Sequence, residues 1–157
     1  METMRDTTEN AEVAENAEYF GNERLNEISG RIIGAAIAVY RALGPGLLES
    51  AYEMCLAYEL SEQGVRLERQ KALPLLYGNV RLDCGYRLDM LVEDQVVVEV
   101  KAVDRLMPIH DAQILSYLRL SGRPLGLIIN FNVRTLKNGV RRFVNSSHLP
   151  VMSRGEE

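Results

Sequence analysis

The run Val96-Val97-Val98-Glu99-Val100-Lys101 constrains this chain more than any other segment. Its β-branched residues favour extended backbone. Side chains of a strand alternate between faces, so Glu99 and Lys101 share one face while Val98 and Val100 take the other. A carboxylate and an ammonium inside a valine-rich strand need partners or a purpose. Asp89, on the segment just before, supplies a third charge. If the two segments form an antiparallel hairpin, Asp89 faces Glu99 only when the turn is centred on Asp94. That demands a three-residue loop, Glu93 to Gln95, or an equivalent bulge. A two-residue turn at Glu93-Asp94 would pair Asp89 with Val98 and put it on the opposite face. The expected result is Asp89, Glu99 and Lys101 converging on one edge of a small sheet.

The rest of the chain supplies the setting. Leu25, Ile28, Ile32, Ile33, Ala36, Val39, Tyr40 and Leu43 recur at helical spacing, and Gly44-Pro45-Gly46 stops that helix. A second helix is expected from about Leu47 to Gln63, with Leu48, Ala51, Tyr52, Cys55, Leu56 and Leu60 as its apolar stripe and Gly64 after it. Strands follow at about 66–77, from the Gly78-Asn79 turn to about Val92, and at 96–101. Pro108 opens a helix to about Leu120, with Gly122 at its end. Leu125 to Phe131 reads as a strand covered on both faces, and Val140 to Val144 as the last strand. The fold class is α/β: a mixed β-sheet flanked by helices, in the order α-α-β-β-β-α-β-β.

The acidic balance is concentrated in one place. Residues 1–27 hold eight acids and two arginines, whereas the whole chain holds 22 acids and 18 bases. The body beyond residue 27 is therefore mildly basic, which permits contact with phosphates without arguing for it. The expected division is a flexible acidic leader at 1–24, a domain at 25–147 and a C-terminal tail at 148–157. No apolar run approaches the ~20 residues of a membrane span, and the polar start is unlike a signal peptide. Cys55 and Cys84 read as reduced thiols, and a cytoplasmic location is expected. With two histidines and no CxxC, zinc is disfavoured.

The charged cluster has an ordinary alternative, an ion pair on a half-exposed sheet face. Other residues weigh against it. Gln113 and Tyr117 lie four apart on one helix face, with His110 a turn earlier. Taken singly, each is as readily a helix-surface or half-buried residue. Glu49 opens the second helix, where the helix dipole favours an acid in any case.

Together these segments resemble the GxxExxY proteins. The matching residues are Gly46-Leu47-Leu48-Glu49-Ser50-Ala51-Tyr52, Tyr86-Arg87-Leu88-Asp89 and Val98-Glu99-Val100-Lys101-Ala102. They continue with His110-Asp111-Ala112-Gln113, Tyr117 and Gly126-Leu127-Ile128-Ile129-Asn130-Phe131. The resemblance spans about residues 28 to 144. Each motif is weak by itself; the ordered set is specific. It places the chain with the PD-(D/E)xK nucleases and implies a restriction-endonuclease-like core. It also implies that Asp89 and Glu99 bind Mg²⁺ or Mn²⁺, with Lys101 as the lysine of ExK. Gln113 and Tyr117 match the QxxxY motif of RecB-type nucleases, and Glu49 the helical glutamate that often completes the site. The chain departs in two places: Tyr40 stands where many members carry histidine, and Leu88 precedes Asp89 where the superfamily's name has proline.

The implied activity is metal-dependent hydrolysis of phosphodiester bonds, with DNA as the expected partner. The residue types suit it: hard cations prefer carboxylate and carbonyl oxygens, so the Val100 carbonyl joins Asp89 and Glu99 as a candidate ligand, with Glu49 for a second metal. Lys101 would orient or help deprotonate the attacking water. Candidate nucleic-acid contacts are His110, Arg87 and Arg105. A homodimer would suit cleavage of two strands, and no membrane partner is expected. Two other readings stay open at this point: a catalytically silent nucleic-acid- or protein-binding module on a nuclease fold, and a structural subunit in which the charges are incidental.

Overall fold

The computed structural model describes residues 6–146, with side chains from residue 22 onward. The expected C-terminal tail, 148–157, and the first five residues of the leader lie outside the described residues. Helix α1 spans Asp6–Leu43. It begins well before Leu25, where apolar spacing starts, so residues 6–24 of the leader are helical. Alanine and glutamate, frequent in that stretch, favour helix without an apolar stripe. Gly44 (φ 66°) and Gly46 (φ 101°) then take backbone angles that cost other residues energy, and α2 follows at Glu49–Glu62.

Tyr52 fixes this corner. Its hydroxyl donates to the Gly44 carbonyl at 2.6 Å and accepts from the Leu47 N–H at 3.1 Å. Its ring stacks on Phe131, centroids 4.5 Å apart. The Tyr40 hydroxyl bonds the Val133 carbonyl, tying the end of α1 to the segment between the last two strands of the sheet.

The strands are β1 (Leu67–Ala72), β2 (Leu75–Tyr77), β3 (Val80–Leu82), β4 (Arg87–Val92), β5 (Val96–Lys101), β6 (Leu125–Asn130) and β7 (Val140–Val144), with α3 at Pro108–Ser121 between β5 and β6. Five of them form a sheet in the order β1-β4-β5-β6-β7, and β2-β3 form a separate hairpin. This mixed sheet flanked by helices fits the restriction-endonuclease-like class. Two expectations need correction. The single strands expected at about 66–77 and 79–92 each divide, because Pro74 lacks the N–H that would continue a ladder and Asp83-Cys84-Gly85 turns the chain, with Gly85 at φ 77°. The charged residues do not sit on a sheet edge either. β4 and β5 are interior strands, and the charges lie where those two strands part.

The β5–α3–β6 unit is a parallel crossover, paired from Val96↔Leu125 to Lys101↔Asn130. All six residues of β6 are buried, as its continuous apolar run implies. Val98, Val100, Leu127 and Ile129 pack with α1 and α2. Val97 faces Tyr117 and Leu118 of α3. Glu99 and Lys101, in phase with Val97, therefore lie on the α3 side. Among the described residues, no helix is long and apolar enough to cross a membrane.

Two glycines mark close approaches. A Cβ on Gly126 would come 2.9 Å from Ile114 Cδ1 of α3, and one on Gly139 would come 2.1 Å from the Asn130 carbonyl oxygen. Side-chain ends can shift, but backbone within a buried strand cannot. Gly126→Ala is expected to cost about 1–3 kcal/mol, and Gly139→Ala more. Thermal denaturation of both variants checks this, and the reverse order would contradict the packing described.

Candidate active site

The geometry of the site starts at a turn. Glu93 (φ 51°) and Asp94 (φ 57°) are both left-handed, and the Gln95 N–H donates to the Val92 carbonyl at 3.0 Å. Gln95 remains as an extra residue before pairing begins, so β4 meets β5 as Val92↔Val96, Leu91↔Val97 and Met90↔Val98. This is the three-residue loop centred on Asp94 that an Asp89–Glu99 pairing demands. Left-handed backbone is unfavourable for Glu93, and Arg66 holds it there. The Arg66 N–H donates to Glu93 Oε1 at 2.9 Å, and Glu93 N–H returns a bond to the Arg66 carbonyl at 2.8 Å. The bond from the Arg66 backbone lowers the Glu93 pKa. Asp94 pairs with Arg123 at 2.9 Å.

Continued by one step, this register sets Asp89 opposite Glu99. There the backbone ladder stops and side chains replace it. The Asp89 N–H donates to Glu99 Oε1 at 3.3 Å, and the Val100 N–H donates to Asp89 Oδ2 at 2.9 Å. Each carboxylate thus bonds the backbone of the opposite strand. Glu99 is only 4% exposed. Burial, followed by the negative charge of Asp89, pushes its pKa up to about 9.

Lys101 continues the same face. Its Nζ donates to Gln113 Oε1 at 3.3 Å, and Gln113 Nε2 donates to the Tyr117 hydroxyl at 2.9 Å. Burial raises the Tyr117 pKa, so the phenol keeps its proton. The chain Lys101–Gln113–Tyr117 joins β5 to α3, which is also tied to β7 by Arg141 on Asp111 at 2.9 Å. Asn130, buried in β6, clamps the segment after β5. Its side chain accepts from the Val103 N–H at 3.1 Å and donates to the Val103 carbonyl at 2.9 Å.

The remaining sequence candidates divide. Glu49 reaches the strand end, where Oε1 accepts from the Ala102 N–H at 3.4 Å. His110 caps α3 by accepting the Met107 N–H on Nδ1 at 2.9 Å. Arg87 donates to the Gln70 carbonyl at 3.2 Å. Arg105 is exposed in the segment after β5.

Two neighbours of Asp89 escape a reading of the sequence alone. Buried Glu53, one turn after Glu49 on α2, accepts from Arg69 at 2.9 Å and from Gln70 Nε2 at 2.7 Å. The same Gln70 amide lies 3.4 Å from Asp89 Oδ1. Gln70 stands opposite Asp89 in the β1–β4 register, yet pairing skips from Arg69↔Met90 to Lys71↔Leu88. Gln70 has φ 49°, a strained angle inside a strand. A carboxylate four residues after Glu49 is the one sequence hint of Glu53; nothing local points to Gln70. Glu49, Glu53, Gln70, Asp89 and Val100 line a cleft of about 440 Å³.

A family model of the PD-(D/E)XK nuclease superfamily matches residues 26–143. The chain belongs to that superfamily. No curated protein and no solved structure matches it. PD-(D/E)XK nucleases hydrolyse phosphodiester bonds and typically use divalent metals. Among the described residues, no three His, Cys, Asp or Glu side chains group closely enough to hold a metal by themselves. The available donors are two carboxylates and a backbone carbonyl. In an antiparallel pair, a strand residue directs its N–H and C=O to the same side, so the Val100 carbonyl leaves β5 towards β4, as its N–H does. Mg²⁺ is commonly held by one or two carboxylates with water and substrate oxygens completing its shell, and this donor set fits that pattern. A cation would also offset the burial and the Asp89 charge that together keep a proton on Glu99.

The pH dependence of stability follows. Glu99 has a folded pKa of about 9 against 4.5 for a free carboxyl, so the folded state holds the extra proton between those values. Its contribution is fully present below pH 4.5 and is lost as pH rises through 9. With chelator present, stability should fall across this window by on the order of 1 kcal/mol per pH unit at most. Glu99→Gln should flatten the slope. Urea denaturation at a series of pH values tests this, and an unchanged slope in the variant would refute it.

Proposed function

We propose that this protein is a metal-dependent nuclease acting on DNA, with Asp89 and Glu99 holding Mg²⁺ or Mn²⁺ and Lys101 assisting the attacking water. The observation that carries the proposal is the pair of carboxylates crossed between parting strands, with Lys101 two residues along the same face. The ordered resemblance to GxxExxY proteins agrees with it. When bound, the cation would offset charge on the phosphoryl oxygens and acidify its water.

The side chains have distinct parts in this scheme. Asp89 and Glu99 are anchored before substrate arrives, which limits reorganisation on the way to the transition state. Lys101 Nζ, restrained by Gln113, donates to the attacking water and stabilises negative charge building at the phosphate. Gln113 and Tyr117 position Lys101. Glu49 extends the acidic wall of the cleft and is suited to a second cation, directly or through water. Gln70 and Arg69 partner Glu53, so it is a poorer candidate.

Asp89→Ala and Lys101→Ala are each expected to slow cleavage of DNA with Mn²⁺ by about 10²-fold or more. Cleavage that persists in both purified variants would sink the proposal. The grouping of fewer than three acidic or imidazole ligands favours one competing reading, a binding module without turnover. Calorimetry separates the two: the nuclease reading expects Mn²⁺ to bind and Asp89→Ala to abolish the signal, whereas no binding at millimolar Mn²⁺ would favour the silent module.

A further inference from the structure

We propose that the groove between the β2–β3 hairpin and α3 binds an unpaired nucleobase of the substrate strand beside the phosphate at Lys101. This inference rests on the nuclease reading and names its substrate class, nucleic acid that is single-stranded or frayed at the point of attack.

The groove has a volume of about 420 Å³, and Leu75, Tyr86, Ile109, Tyr117 and Leu120 form its apolar walls. Ile109 is 70% exposed and Tyr86 46% exposed. Exposed apolar side chains grouped at a concave surface mark a place where something binds. The Tyr86 and Tyr117 rings lie 6.2 Å apart and tilted by 59°, which leaves the accessible Tyr86 ring as a platform for a flat ligand. Polar groups are few. Ser116, His110 and Gln113 also line the groove. His110 accepts on Nδ1, so its Nε2 carries a hydrogen that can be donated. An apolar slot with an aromatic platform and a few donors suits a nucleobase.

Continuity with the site identifies the occupant. Gln113 lines the groove and accepts from Lys101 Nζ at 3.3 Å, so a ligand in the groove lies one side chain away from Lys101. Arg119, exposed on α3, bonds Ser116 at 3.1 Å and puts a positive charge at the rim, as a phosphate backbone requires. A base stacked and paired in a duplex cannot present its face to Tyr86; it must first leave the stack.

The test uses the full-length protein with Ca²⁺ in place of Mg²⁺ and measures fluorescence anisotropy. The probes are a labelled single-stranded oligonucleotide, its duplex and an abasic strand of equal length. The base-bearing single strand should bind roughly 5- to 100-fold more tightly than the abasic strand, the range for one base stacked on an aromatic side chain. Tyr86→Ala should remove that difference without changing abasic binding, and Tyr86→Phe should keep it. Equal binding of all three probes, or an inert Tyr86→Ala, overturns the groove while leaving the nuclease reading intact if wild-type protein still cleaves duplex DNA. Failure to bind or cut any nucleic acid overturns both. A change in sedimentation of Tyr86→Ala with nucleic-acid binding untouched would show a second copy in the groove, and also overturns it.

Discussion

Everything at this site depends on the exchange of hydrogen bonds between Asp89 and Glu99 where β4 and β5 separate. Parting strands leave N–H groups that must be satisfied. Here Glu99 takes the Asp89 N–H and Asp89 takes that of Val100. The two acids are thereby held close together, and one of them is deeply buried. Burial of Glu99, followed by the charge of Asp89 beside it, keeps a proton on Glu99 in the folded chain before any ligand binds. A turn at the far end of the hairpin decides which face they share, because the extra residue Gln95 sets the register.

The helical layers complete the site from two directions. α2 brings Glu49 and Glu53 to the strand ends, and α3 brings Gln113 and Tyr117 over Lys101. Motif residues differ in what they do. Tyr52, prominent in the GxxExxY pattern, is occupied with the Gly44–Gly46 corner and with Phe131. His110 is engaged in capping α3. A residue can therefore belong to a signature by holding the scaffold, while its neighbour Glu49 reaches towards the cleft.

Much of this was legible in the sequence because it follows from local rules. Alternation in Val96–Lys101 puts Glu99 and Lys101 together, and residue counting shows that Asp89 faces Glu99 only across a three-residue turn centred on Asp94. Helical spacing paired Gln113 with Tyr117. Other features depend on contacts far apart in the chain. Glu53 meets Arg69 and Gln70 only after α2 packs beside β1, and the left-handed angle of Gln70 has no glycine or asparagine to announce it. The position of β4 and β5 inside the sheet depended on β1 and β6 flanking them, which periodicity cannot reveal. Pro74 ends β1's ladder, yet the apolar residues on both sides of it carry a strand-like pattern across the break. The early start of α1 leaves no trace in apolar spacing, which reports burial, whereas alanine and glutamate can extend a helix without it.

The crossover from β5 to β6 has a consequence in time. Asp89 and Glu99 lie on a short hairpin that needs few distant contacts to form. Lys101 depends on Gln113, Gln113 on the seating of α3, and α3 packs against Gly126 of β6. A ribosome must therefore deliver β6 before the lysine has its anchor. A chain halted after β5 would carry the acidic pair without the ordered lysine. The cluster is thus completed only once β6 is in place, and unfinished copies of the protein hold it only in part.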